Sequence, residues 1–67
     1  GGYMLVKDYQ PKYYENEILI AQDNGYCEPG DRGGWKYIRS KYANYSIKVA
    51  KDFDDEEVTR IIVEDEE

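Results

Sequence analysis

Histidine is absent from this chain of 67 residues, and with it goes the side chain that most often serves as a general base near neutral pH. Triads built on an imidazole are therefore excluded. Cysteine occurs once, as Cys27, so no internal disulfide can form; a small core held without one fits a reducing, cytoplasmic setting better than a secreted one. As a nucleophile Cys27 is badly placed, because the adjacent Glu28 would raise a thiol pKa rather than lower it. Long hydrophobic runs are missing too. The longest is residues 18–21, ILIA, whereas a helix that spans a bilayer needs about 20 apolar residues. No charged-then-apolar leader opens the sequence, so neither a membrane span nor a targeting segment is expected.

Other catalytic and cofactor patterns fall short as well. Residues 30–34 are rich in glycine but match neither GxGxxG nor GxxxxGK[ST]. Asp52, Asp54 and Glu56 have the one-three-five spacing of a calcium loop, yet Glu57 stands where the sharp turn wants glycine and Val63 where the bidentate glutamate belongs. Paired carboxylates for glycoside hydrolysis need a walled cleft, and so short a chain leaves little wall. The expectation is a domain without catalytic residues, metal or cofactor.

What the chain does contain is charge, unevenly placed. Residues 52–67 hold nine acids against Arg60 alone, residues 32–51 hold six bases and no acid, and the first 31 residues hold six acids against two bases, for a net −6. The aromatic share is 15%, including eight tyrosines. That is unusual for a disordered chain of this charge and argues for a folded domain. Residues 3–64 are taken as that single domain, Gly1 and Gly2 as an expression remnant, and 65–67 as a frayed acidic tail.

Periodicity suggests mainly β structure. Residues 3–9 (YMLVKDY) read as a strand ended by Pro11, and 10–16 as a loop that exposes Tyr13 and Tyr14. Residues 17–22 form a short apolar strand followed by the turn signal Asp23-Asn24-Gly25, and 29–34 a surface loop. Residues 45–51 alternate, with Tyr45, Ile47 and Val49 facing one way and Ser46, Lys48 and Ala50 the other; residues 58–64 are β-branched. The segment 35–42 (WKYIRSKY) fits both periods. As a helix it aligns Trp35, Ile38 and Tyr42, as a strand it pairs Trp35 with Tyr37, and its aromatic content favours strand. The expected fold is thus a small antiparallel sheet or SH3-like small barrel of four to five strands. The alternative is an α+β domain, ββαββ, with a short helix at about 33–43.

The order LVKDY, ENEILI, a turn, Gly30-Asp31, Trp35 and YIRSKY resembles that of SH3 domains, with their ALYDY and GYIPSNY stretches. It departs from them where only Lys36 separates Trp35 from Tyr37-Ile38 and where Arg39 replaces proline, so no family membership follows.

Two binding surfaces suggest themselves. The first is acidic: Asp52, Asp54, Asp55, Glu56, Glu57, Glu64 and Asp65, with Tyr13 and Tyr14 as aromatic anchors. It would suit a basic partner protein, in the manner of small acidic inhibitors of phages and mobile elements that present a nucleic-acid-like negative surface. The resemblance to those inhibitors lies in size, charge and tyrosine content only. The second is basic and aromatic: Arg32, Trp35, Lys36, Tyr37, Arg39 and Lys41 would hold single-stranded nucleic acid by stacking and phosphate contacts. Against both stands the plainer reading, in which the acids merely keep the protein soluble and the aromatic residues build the core.

Overall fold

The computed structural model of the protein describes residues 4–23 and 30–64. Four strands and one helix follow in the order β1 (Ile18–Gln22), β2 (Asp31–Gly33), α1 (Trp35–Lys41), β3 (Ile47–Phe53) and β4 (Val58–Val63), preceded by a single 3₁₀ turn at Val6–Asp8. The ββαββ order is therefore the one that forms, mainly strands with one short helix. The sheet runs β2-β1-β4-β3. It is mixed and open, neither purely antiparallel nor a closed barrel, because β1 and β4 pair in parallel at its centre while β2 and β3 flank them antiparallel.

The helix forms where a strand was favoured. Its offsets of three and four put Trp35, Ile38 and Tyr42 on one face; Ile38 is fully buried and Tyr42 nearly so, with Trp35 packed beside them. Arg39 and Lys41 in the last turn suit the negative end of the helix dipole. As a strand, the segment would have left one side of the sheet bare. Ile18 and Ile20 of β1, Ile61 and Val63 of β4, and Val6 complete the core beneath that helix.

Three further expectations are corrected. Of the expected strand 3–9, the described residues 4–9 form no strand of the sheet: Leu5 makes only an isolated bridge with Ser46, the Val6 and Lys7 amides donate to the Tyr45 and Ala43 carbonyls at 3.0 and 3.1 Å, and the Ile47 amide at the start of β3 donates to the Met4 carbonyl at 2.8 Å. The 3₁₀ turn drops Val6 into the core instead. Residues 31–33, expected in a loop, are β2. Gly30 just before it passes so close to β1 that a Cβ there would lie 2.5 Å from the Ile20 carbonyl oxygen, an approach only glycine permits. In β3 a bulge between Ile47 and Val49 reverses the alternation, so Ala50 turns to the core while Val49 is 50% exposed. The turn signal at Asn24-Gly25 lies outside the described residues.

The four-residue turn 54–57 joins β3 to β4, and Glu57 closes it with a positive φ of 54°. A left-handed backbone costs a residue with a Cβ about 1 kcal/mol relative to glycine. Glu57→Gly is accordingly expected to raise folding stability by about 0.5–1 kcal/mol, read as an increased urea midpoint with an unchanged slope. An unchanged midpoint would mean that the turn relaxes without strain.

Candidate functional site

Two polar clusters dominate the described surface. The first sits at the end of the sheet where the 54–57 turn meets the loop 12–16. Thr59, fully buried on β4, donates through Oγ1 to the Asp52 carboxylate at 2.6 Å and receives the Tyr13 amide at a long 3.4 Å. The Lys12 amide donates to the same Asp52 oxygen at 3.3 Å. Farther out, the Lys12 ammonium lies 2.8 Å from Asp54, and the Tyr13 hydroxyl donates to that carboxylate as well. Asn16 caps the arrangement by donating its side-chain amide to the Glu57 carbonyl at 2.7 Å. The loop and the turn are thus one unit.

The electrostatics follow from these contacts. The Lys12 ammonium and the Tyr13 hydroxyl hold the Asp54 carboxyl below the usual carboxylate range, and Asp54 in return raises the pKa of both partners. Asp55 and Glu57 make no ion pair among the described residues, and Glu56 meets Arg60 only at 4.0 Å. Tyr14 stands 48% exposed on the same loop, while Tyr13 is half-buried and committed to Asp54. Glu64 lies at the far end of β4, about 20 Å away for six residues of strand. Asp65 lies outside the described residues.

The second cluster was not singled out from the sequence. Asp31 of β2 turns its carboxylate towards α1, where it accepts hydrogen bonds from the Tyr37 hydroxyl at 2.9 Å, the Lys41 ammonium at 3.0 Å and the Tyr42 hydroxyl at 3.0 Å. The Arg32 amide donates to its other oxygen at 2.8 Å. These donors, with Lys41 foremost, hold the Asp31 carboxyl far below the usual range, while the Tyr37 hydroxyl and then the Asp31 carboxylate push the Lys41 ammonium well up. Tyr37 and Lys41 are one helical turn apart, a spacing that could have drawn notice had the segment been read as a helix.

This clamp alters the basic, aromatic set. Tyr37 and Lys41 bind Asp31, Trp35 packs on the core, and the Arg39 guanidinium donates to the Lys7 carbonyl at 3.1 Å. Arg32 instead lies across the sheet, forked onto Glu17 with its Nη2 at 2.7 Å, and Lys36 is exposed on the helix. The six residues do not converge. Three of the six bases of the middle segment turn to acids of the first 31 residues, Arg32 to Glu17, Lys41 to Asp31 and Lys48 to Asp23, and in the acidic run at 52–57 the ion pairs are those of Asp54 with Lys12 and Glu56 with Arg60.

A pH dependence follows. Asp31, Asp54 and Glu17 all have folded pKa values depressed by their partners, so the stability they contribute is present above the unfolded-state values of about 4 and is lost as pH falls through and below them. Because these groups are solvent-accessible, screening reduces the effect. The melting temperature is expected to fall below about pH 4, and to fall less steeply in Asp31→Asn. Parallel melting curves for the two proteins through that range would remove Asp31 from the account.

Compared with known proteins, the chain matches no family model, no curated protein and no solved structure.

Proposed function

We propose that the chain is a binding domain without chemistry of its own, which offers the acidic, tyrosine-bearing tip at 12–16 and 54–57 to a basic partner protein. One observation carries the reading: the loop that bears Tyr14 is tied to the carboxylate turn by Lys12, Tyr13 and Asn16, so an exposed ring and the Asp55, Glu56 and Glu57 side chains are held together before any partner arrives. Preorganisation of this kind lowers the entropy cost of association. A tyrosine beside uncompensated charge provides an apolar anchor and long-range steering together. Glu64 sets a second negative point about 20 Å off, roughly six base steps of a duplex strand, which suits a small inhibitor standing in for nucleic acid on its partner. No helix among the described residues is long and apolar enough to cross a membrane, and a cytoplasmic setting belongs to the same proposal.

The test compares two variants of equal charge change. Asp55→Asn/Glu57→Gln removes charge at the tip; Asp8→Asn/Asp23→Asn removes the same charge elsewhere. Affinity for a lysine- and arginine-rich peptide, measured by calorimetry at low salt, is expected to drop about tenfold in the first and to change little in the second, with Tyr14→Ala weakening it further. Equal losses in both variants would reduce the effect to net charge and overturn the reading.

A further inference from the structure

Among the described residues, the helix and the 3₁₀ turn cover one face of the sheet, and no other element covers the opposite one. Cross-strand partners share a face, so the register defines two rows on the open side. Arg32, Leu19, Arg60 and Lys51 stand opposite one another across β2, β1, β4 and β3. Two residues along, Ala21, Ile62 and Val49 form the neighbouring row. Leu19, Ala21, Arg32, Arg60 and Ile62 line a groove of about 390 Å³ there. Val49 is 50% and Ile62 39% exposed, so two β-branched aliphatic side chains face water side by side.

Such exposure at the centre of the sheet is out of keeping with its topology. β1 and β4 are a parallel pair, and parallel strands carry apolar residues on both faces because both are ordinarily covered. β1 has that pattern: Ile18 and Ile20 point into the core while Leu19 and Ala21 point out. Among the described residues, no third layer lies over this face.

The charges on this face select what would complete it. Arg32, Arg60 and Lys51 are all positive and occupy a single row about 14 Å long, three strand spacings. Of the acids, Glu17 forks onto Arg32 from one side and Glu56 approaches Arg60 from the turn. A second copy laid face to face would bring like charges together. For a single-stranded nucleic acid the row offers phosphates a path but nothing to stack on: the aliphatic row has no ring, and the Phe53 ring at the border already has the Lys51 and Arg60 cations 5.2 and 5.1 Å from its centroid. A polyanion would also meet the net −6 of the chain.

We propose that this face docks an amphipathic helix of a partner protein, its apolar stripe on Ala21, Ile62 and Val49 and its acidic border on Arg32, Arg60 and Lys51. The length of the cation row corresponds to a little under three helical turns. The surface is distinct from the acidic tip and stands whether or not the tip binds a basic partner.

The experiment is an NMR titration of the isotope-labelled full chain with a helical peptide carrying leucines at i, i+3, i+4 and i+7 and glutamates along one border. Amide shifts are expected at 19, 21, 49, 60 and 62, saturating below about 1 mM peptide, with affinity reduced about tenfold in Val49→Thr/Ile62→Thr, a pair that keeps strand propensity. Arg60→Glu/Lys51→Glu should abolish the shifts and transfer preference to the same peptide bordered by lysines. No shifts on this face, equal shifts with the lysine-bordered peptide on the unaltered chain, or shifts there only with a random single-stranded oligonucleotide would each overturn the proposal. So would a concentration-dependent dimer abolished by Val49→Thr/Ile62→Thr.

Discussion

Ile61→Ala is expected to cost about 2–5 kcal/mol of folding stability and to leave a substantial share of the molecules unfolded in dilute buffer at room temperature. Ile61 is 1% exposed and sits at the middle of β4, opposite Ile20 on one side and Ala50 on the other, under the helix that contributes Ile38 to the same cluster. Alanine loses the transfer free energy of three carbons and leaves a cavity that two hydrogen-bonded neighbouring strands cannot easily close. A chain of this length has a total stability of about 3–10 kcal/mol, so the loss is comparable with the whole. Urea unfolding followed by circular dichroism reads it directly, and Ile61→Val, costing about 0.5–1.5 kcal/mol, provides the graded control. A loss below that of the valine variant would mean that the core collapses around the gap and is far softer than its packing implies.

Thr59→Val is expected to destabilise by about 1–3 kcal/mol and, unlike the first change, to act on the candidate site. Valine keeps the shape and the β-branch, so packing and strand propensity survive, but the Oγ1 that binds Asp52 and receives the Tyr13 amide is gone. A part-buried amide then lacks its acceptor, and among the described residues the half-buried Asp52 retains the Lys12 amide as its hydrogen-bond donor. The lower end of the range is the better expectation, because Asp52 can recover water and the Tyr13 bond is long. The second consequence is specific: with its inner tether cut, the 12–16 loop should exchange its amide hydrogens faster at Tyr13, while β1 and β4 stay protected. Thr59→Ser, which keeps the hydroxyl, should leave that exchange unaltered. If valine and serine behave alike, the hydroxyl does not anchor the loop.

Sequence and structure agree where the signal is local. The apolar run that became β1 and the β-branched run that became β4 each form from neighbours a few residues apart, and their composition suffices to see them. They diverge where distant parts of the chain arbitrate. WKYIRSKY satisfies both periods, and the need to cover one face of the sheet selects the helix. YMLVKDY has strand composition, but its long-range backbone partners are Ala43, Tyr45 and Ile47, 36 to 43 positions on from the residues they bind. Asp31 among glycines looks like loop punctuation until α1 brings Tyr37, Lys41 and Tyr42 onto its carboxylate. The acidic tip was partly legible, since Asp54 to Glu57 and Tyr13-Tyr14 stand out as runs, but their meeting depends on Thr59 and Asn16, which carried no signal of their own.

Composition and order alone established that these 67 residues hold no imidazole and can form no internal disulfide, that charge is segregated along the chain, and that short apolar strands alternate with polar turns. Each of these is a property of residue type or of near neighbours. Folding decided which charges cancel, since four of the five ion pairs among the described residues join positions ten or more apart in the sequence. It also placed two parallel strands at the centre of an open sheet, with an apolar and cationic face that no other described element covers, because strand order and register depend on how the distant runs of β1 and β4 pack together rather than on either run by itself.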